Sequence, residues 1–162
     1  MRAGDAFDRL YAEHAQPLYG FLVHRTGDPV LAEDLLASTF ERALKGRAQF
    51  NRRRGSARTW LYTIALNLLR DHARRGKVEQ RALQGAAVLA EHDSMGPHDD
   101  IPERLTLRDA LASLSPDERE AIALRYGGDL TLAEVADVVG ANRTAVEARI
   151  YRGLRKLRDL MS

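Results

Sequence analysis

Basic side chains recur along the last stretch of the sequence with a spacing that suits binding to DNA phosphates. Residues 143–158 contain six basic residues and one acidic residue. If this stretch is helical, one apolar stripe is formed by Val146, Ile150, Leu154 and Leu157. The opposite side then carries Thr144, Ala148, Tyr151, Arg152 and Arg155. An apolar back for packing and a basic front for a polyanion predict a DNA-reading helix.

A second basic cluster lies within residues 41–81, which hold twelve basic and three acidic side chains. Residues 52–54 are all arginine, and Trp60 and Tyr62 follow soon after. Aromatic rings stack on unpaired bases while arginines hold phosphates, so this cluster favours contact with a single strand. The helical phase gives Trp60 a core role. Tyr62 and Asn67 fall on the polar side and are the better candidates for contact with bases.

The net charge of +2 hides a strong segregation along the chain. Residues 82–102 carry four acidic and no basic side chains, and residues 103–142 carry eight acidic and four basic ones. Two basic segments separated by acidic segments predict two contacts with a polyanion.

The residue types give little support to enzymatic chemistry. The sequence has no cysteine, and its five histidines are scattered without the paired spacing of metal ligands. There is no glycine-rich phosphate loop and no Gly-x-Ser-x-Gly motif. We therefore expect no catalytic, metal-binding or cofactor-binding residues and no cofactor. No apolar run approaches the roughly 18 residues of a membrane span, so we expect no membrane insertion and a cytoplasmic location.

Start and stop signals divide the stretch from residue 130 onward into two short helices joined by a tight turn. Thr131 and Glu134 form a capping box at the start of the first helix. Gly140 can adopt the left-handed backbone that ends this helix, and Asn142 is a good N-cap for the next. Together these signals predict a helix-turn-helix. Plain helical bundles also contain this pattern, and a basic helix face is often only solvated, so both interpretations stay open at this point.

Three helices are predicted ahead of this motif. The first covers residues 5–24 and can kink or divide at Pro17. Asp28 is an N-cap for the second helix. A basic loop follows, and Ser56 caps a third helix that ends at Gly76.

Composition places a boundary in the middle of the chain. Residues 82–102 lose helical periodicity in their second half and have the composition of a flexible linker. Beyond them we predict a helix over residues 102–114 and another that begins at Ser115. The predicted fold class is all-α, with small helical domains at residues 1–81 and 103–162 joined by this linker.

Four groups of residues stand in a particular order along nearly the whole chain. The first is Asp28-Pro29 with Ala32-Glu33-Asp34-Leu35 and Thr39-Phe40. The second is Trp60-Leu61, Ile64-Ala65, Asn67, Asp71 and Arg74-Arg75. The third is Leu114, Pro116, Arg119-Glu120 and Arg125-Tyr126, and the helix-turn-helix is the fourth. Over about residues 5–160 this order resembles the extracytoplasmic-function (ECF) sigma factors of bacterial RNA polymerase. The resemblance implies that family's region 2 and region 4 domains, with no region 3 domain between them.

The resemblance also implies a role for each surface. The second helix is similar to the surface that binds core polymerase, with candidate contacts Asp28, Glu33, Asp34, Leu35, Ser38 and Glu41. The basic loop and third helix look like the part that reads and opens the minus-ten promoter element. Its candidates are Asn51, Arg52, Arg53, Arg54, Ser56, Arg58, Tyr62, Asn67, Arg70, Arg74 and Arg75. The last helix looks like the reader of the minus-thirty-five element, with candidates Arg143, Thr144, Glu147, Ala148, Arg149, Arg152 and Arg155.

Partners follow from the same resemblance. They are core RNA polymerase through its beta-prime clamp and beta subunits, promoter DNA, and an anti-sigma factor. Ala37 stands where the family commonly has Gln, so one polar clamp contact is expected to be absent. Glu147 stands where Lys is common, and it can accept a hydrogen bond from cytosine N4 or pair with Arg143 or Tyr151. The alternative function is a stand-alone helix-turn-helix transcriptional regulator, which would bind DNA tightly without polymerase.

Overall fold

The computed structural model describes residues 3–83 and 107–162, which belong to two compact units. All regular secondary structure within these two ranges is helical. The predicted all-α fold with two small helical domains is confirmed. The predicted linker over residues 82–102 lies almost entirely outside the described residues, so its boundaries stay predictions.

Over residues 3–83, three helices and a short turn form the first unit. They are α1 (Ala3–Thr26), α2 (Pro29–Lys45), a 3-10 turn (Arg47–Gln49) and α3 (Ala57–Leu83). The three helices pack on one another around a common apolar core. Its buried side chains include Leu18, Phe21, Leu22, Leu35, Phe40, Leu61, Tyr62 and Leu66.

The join between α1 and α2 follows the local signals in the sequence. Gly27 has a left-handed backbone with φ 67°, which ends α1. Asp28 Oδ1 then accepts hydrogen bonds from the amides of Val30 at 3.0 Å and Leu31 at 3.3 Å. This carboxylate satisfies two of the donors that a helix start leaves open, so Asp28 is confirmed as the N-cap of α2.

Two predicted helix breaks are absent. Pro17 lies inside α1, which is one helix from Ala3 to Thr26. A proline in this position loses one backbone hydrogen bond, and burial of Leu18 and its neighbours on α2 and α3 offsets that loss. Gly76 also lies inside a helix, because α3 continues to Leu83. A single helical glycine costs about 1 kcal/mol, which the helix-forming residues after it can outweigh.

Four helices form the described part of the second unit, from residue 107 onward. They are α4 (Leu107–Ala112), α5 (Pro116–Ile122), α6 (Leu132–Val139) and α7 (Arg143–Met161), and α5 continues as a π-helical segment over Ala123–Gly127. Both predicted capping boxes are present, at Ser115 with Glu118 and at Thr131 with Glu134. The turn between α6 and α7 has the predicted geometry, with Gly140 at φ 72° and Asn142 Oδ1 accepting from the Ala145 amide at 2.8 Å. The predicted helix-turn-helix is confirmed.

The apolar stripe of α7 differs from the predicted one in its second half. Val146 and Ile150 are buried as predicted, but Leu154 is 40% exposed. Gly153 is buried in its place, because α5 packs against α7 there. A Cβ atom added at Gly153 would collide with Cδ1 of Ile122. The bare backbone at this position therefore allows the two helices to approach closely.

Candidate nucleic-acid interface

The predicted minus-ten loop is a tight and exposed turn. Asn51 Oδ1 accepts a hydrogen bond from the Arg53 amide at 3.0 Å, and the Arg54 amide donates to the Asn51 carbonyl at 2.9 Å. Asn51, Arg52, Arg53 and Arg54 are all exposed. The side-chain hydrogen bond fixes the turn, so three neighbouring cations project into solvent from a defined backbone. Phosphates of an unpaired strand are a suitable ligand for such a surface.

An aromatic pair supports this loop from the side of the helical bundle. The rings of Phe50 and Trp60 are stacked with centroids 4.7 Å apart, and both residues are half-buried. Ser56 Oγ accepts from the Thr59 amide at 3.1 Å and so caps the start of α3. The loop is therefore held at both ends. Trp60 has a packing role, in agreement with its helical phase.

Polar residues line one side of α3 beyond the loop. Asn67, Arg70, Arg74 and Arg75 are exposed there, and Arg58 near the start of the helix is half-buried. Arg74 forms an ion pair with Asp71 one turn before it. The loop and this side of α3 together form a cationic surface with two amide side chains, Asn51 and Asn67.

Tyr62 does not belong to this surface. It is only 2% exposed, and its ring packs edge-on against Phe21 with centroids 5.3 Å apart. The prediction that Tyr62 lies on the polar side of α3 is wrong, because α1 covers that side of the helix and needs a large apolar surface there. In this conformation the ring is inaccessible to a base.

The predicted polymerase-binding helix, α2, carries three acidic side chains on its outer surface, beside the exposed cations Arg42 and Lys45 of its last turn. Glu33, Asp34 and Glu41 are exposed. Glu41 Oε1 accepts from Lys45 Nζ at 2.9 Å, and this hydrogen bond lowers the pKa of the Glu41 carboxyl. Ala37 is also exposed on this helix, which leaves a small apolar position among the acidic residues.

Three other predicted contacts on α2 have different surroundings. Leu35 is only 7% exposed and forms part of the core, so its predicted contact with polymerase is wrong for this conformation. It faces inward because it lies in the apolar phase of α2 with Ala32 and Phe40. Ser38 is half-buried, and the Asp28 carboxylate is exposed but serves as the helix cap.

The front of α7 carries the predicted duplex-reading residues. Arg143 Nε lies 3.3 Å from Glu147 Oε1, and both side chains are more than half exposed. This pair corresponds to one of the two interpretations of Glu147. Thr144 and Arg155 are exposed, and Ala148 and Arg149 are half-buried. An exposed pair of this kind is worth about 0.3–0.5 kcal/mol, so a DNA base or phosphate can displace it at little cost.

A buried carboxylate lies behind the same helix. The Glu118 side chain is 4% exposed, and its Oε1 accepts from Lys156 Nζ at 2.7 Å and from the Ser115 amide at 3.0 Å. Its Oε2 lies 3.9 Å from Arg152 Nε. The hydrogen bond from Lys156 holds the pKa of this carboxyl below its ordinary value, although burial acts in the opposite direction. Glu118 therefore connects α5 to two turns of α7.

Sequence reasoning missed the ion pair between Glu118 and Lys156, and it also missed the contacts of Arg119. Arg119 donates to the carbonyls of Leu111 at 3.2 Å, Ala112 at 3.2 Å and Leu114 at 3.1 Å. It thereby binds the end of α4, where helix carbonyls have no partner within the helix. The Glu118 capping box was visible in the sequence, but its partner Lys156 lies 38 residues away and no local pattern connects the two.

Over residues 3–83 and 107–162, no group of three or more His, Cys, Asp or Glu side chains comes together in a way that could hold a metal ion. Within the same ranges, no helix combines the length and apolar character needed to cross a membrane.

Comparisons with known protein families agree with the two-unit division. The Sigma-70 region 2 family matches residues 10–78, and the Sigma-70 region 4 family matches residues 104–157. The cationic loop and α3 up to residue 78 lie in the first match, and α6 with α7 up to residue 157 lies in the second.

Individual relatives extend over nearly the whole chain. The ECF RNA polymerase sigma factor BldN of Streptomyces coelicolor is 34% identical, over 97% of this chain and 61% of BldN. The RNA polymerase sigma factor CarQ of Myxococcus xanthus is 36% identical, over 98% of this chain and 91% of CarQ. The sigma factor RpoE of Bartonella quintana, solved with the anti-sigma factor NepR, has a similar fold, with a TM-score of 0.76, 24% identity and 96% of each chain covered. The chain belongs to the ECF sigma factors of RNA polymerase.

Proposed function

We propose that this chain is a promoter-specificity subunit that binds core RNA polymerase, directs it to particular promoters and helps to open the minus-ten region. It is an initiation factor with no enzymatic activity of its own, and it works in the cytoplasm with the polymerase. The observation that carries the proposal is the segregation of charge on the folded surfaces. The first unit has an acidic α2 and a cationic loop, and the second has a cationic front on α7.

The cationic loop and α3 are the proposed minus-ten surface. Asn51 holds residues 52–54 in a fixed turn, and Asn67 and Arg70 continue the surface along α3. Opening a duplex requires cations that retain the displaced strand and polar groups that accept unstacked bases. Tyr62 is excluded from the proposed contacts because it is buried.

The front of α7 is the proposed minus-thirty-five surface. The second helix of a helix-turn-helix enters the major groove with its N-terminal residues against the base edges. Arg143, Thr144 and Glu147 occupy the first turns of α7 and are exposed. We assign base contacts to these residues, phosphate contacts to Arg149 and Arg155, and a partial phosphate contact to Arg152.

The acidic surface of α2 is the proposed site for core polymerase, with Glu33, Asp34 and Glu41 as its charged contacts. A protein that covers this surface would prevent polymerase from binding. RpoE of Bartonella quintana was solved with an anti-sigma factor, and we propose that this chain is also held inactive by one.

The assignment of α2 is tested by reversing its charge. Glu33→Arg with Asp34→Arg should weaken assembly with core polymerase at least tenfold, measured by anisotropy of the labelled chain during titration with core enzyme. Both residues are exposed, so the fold should be retained. Asp8→Arg, an exposed charge reversal on α1, is the matched control. Equal affinities for the double variant, the control and the unaltered chain would overturn the α2 assignment.

A further inference from the structure

Glu118 is a charged side chain in a position where charges are rarely found. Its residue is 3% exposed, in the contact between α5 and α7. Removing a carboxylate from water is strongly unfavourable unless partners compensate, so its contacts must offset this cost. Lys156 Nζ at 2.7 Å and the Ser115 amide at 3.0 Å supply two of them.

The two cations near Glu118 stand one helical turn apart on α7. Lys156 donates directly to Oε1, whereas Arg152 Nε lies 3.9 Å from Oε2, beyond hydrogen-bonding distance. Both cations are roughly half exposed, at 51% for Lys156 and 59% for Arg152. Each therefore has solvent on one side and a buried negative charge on the other.

We infer that Glu118 is a positioning residue for the duplex-reading helix. It fixes α7 on α5, and by pairing with Arg152 and Lys156 it makes these two cations less available to DNA phosphates. This inference rests on the proposed role of α7. Binding of a phosphate by Lys156 would break its 2.7 Å hydrogen bond to Glu118, so DNA has to compete with the carboxylate for this cation. Arg152 is held more loosely, so it is shared between Glu118 and a DNA phosphate.

The salt dependence of DNA binding measures how far Arg152 and Lys156 contact phosphates and how far they remain paired with Glu118. Each phosphate that a protein neutralises on B-DNA contributes about −0.9 to the slope of log affinity against log salt. Glu118→Gln retains the shape of the side chain and an acceptor for the Ser115 amide, but it removes the charge that holds the two cations. The slope should become steeper by about 0.9 to 1.8, for one or two additional phosphate contacts.

The experiment uses the full chain and a labelled pool of random-sequence duplex DNA of 30 base pairs, with anisotropy recorded between 50 and 200 mM salt. In the unaltered chain, Arg152→Ala should change the slope by less than about half of one phosphate contact. In the Glu118→Gln background the same substitution should remove a whole contact, about 0.9. If Glu118 acts only in packing, Glu118→Gln should lower the affinity, and Arg152→Ala should change the slope by the same amount in both backgrounds.

Glu134→Gln is the matched control, because it removes the same charge from the same position of the capping box in α6. We expect its slope to equal that of the unaltered chain. Equal slopes for Glu118→Gln and Glu134→Gln, together with the same effect of Arg152→Ala in both backgrounds, would overturn the inference.

Failure of the proposed α7 role is distinguishable from failure of the inference. The variant that combines Arg143→Ala, Arg149→Ala and Arg155→Ala tests the proposed role of α7. If it retains the slope of the unaltered chain, α7 does not contact the duplex and the proposed role is wrong. If Glu118→Gln does not fold, as judged by its thermal melting curve, Lys156→Gln replaces it. Because Lys156 is already held by Glu118, this variant should leave the slope unchanged within about a third of one contact, and a decrease of about 0.9 would contradict the inference.

Discussion

At the scale of single residues, Glu147 is the position that we expect to be most directly connected to promoter sequence. It is exposed in the first turns of α7 and is paired with Arg143 at 3.3 Å. A carboxylate accepts a hydrogen bond from cytosine N4, whereas a lysine donates to guanine O6 and N7. Glu147→Lys should therefore change the preferred base on the contacted strand from cytosine to guanine, which reverses the orientation of the G·C pair. We expect a discrimination of about 1–3 kcal/mol, the usual value for a specific base contact.

This prediction is checked by selecting minus-thirty-five sequences from a randomised pool with the assembled polymerase, once with each variant. Glu13→Lys, an exposed charge reversal in the first unit, is the control and should select the unaltered sequence. Identical selected sequences for Glu147→Lys and the unaltered chain would show that the carboxylate only pairs with Arg143.

Exposure of individual residues was only partly predictable from the sequence. The cations at positions 52–54 are exposed as predicted, because three consecutive arginines cannot be buried without partners. Tyr62 was misplaced because a tyrosine suits either a core or a surface, and only the position of Phe21 on α1 decides between them. Leu35 was assigned to an interface on resemblance, although its apolar phase already indicated the core.

At the scale of elements, the turn of the helix-turn-helix depends on one glycine. Gly140 has φ 72°, and a Cβ atom there would meet no other atom within 4 Å. A substitution is therefore opposed by backbone strain alone, about 1–2 kcal/mol for a residue other than glycine. Gly140→Ala should lower the free energy of unfolding by about this amount, measured by urea titration followed by circular dichroism.

Gly127 provides a matched control. It also ends a helical segment and also has no atom within 4 Å of an added Cβ, but its φ is not positive. Gly127→Ala should leave the unfolding free energy unchanged or raise it by less than about 1 kcal/mol. Equal effects of the two substitutions would mean that the left-handed backbone of Gly140 is not what limits the turn.

Helix starts were more predictable than helix packing. The caps at Asp28, Ser115 and Thr131 are local, since each side chain bonds to amides two or three residues away, and the sequence contains both partners. The exposure of Leu154 and the burial of Gly153 depend on where α5 crosses α7, which no periodicity within α7 reports. The contacts of Arg119 with the end of α4 also depend on the geometry between two elements.

At the scale of the whole molecule, the two compact units carry separate cationic surfaces, the loop and α3 in one and the front of α7 in the other. On the proposed assignment, each surface alone would make a few phosphate contacts, which supports only weak binding at physiological salt. Two weak sites act together when they are held at a suitable separation, because the second contact then becomes intramolecular. We propose that core polymerase provides this arrangement.

The central claim is that promoter recognition requires both this chain and core polymerase. The most direct measurement is transcription in vitro on a set of genomic fragments, with core enzyme alone, the chain alone and the two together. The account predicts discrete transcripts with reproducible start sites only when both are present. It would be contradicted by the absence of any promoter-dependent transcript across many templates. Tight sequence-specific duplex binding by the chain alone would also contradict it, and would indicate a stand-alone helix-turn-helix regulator.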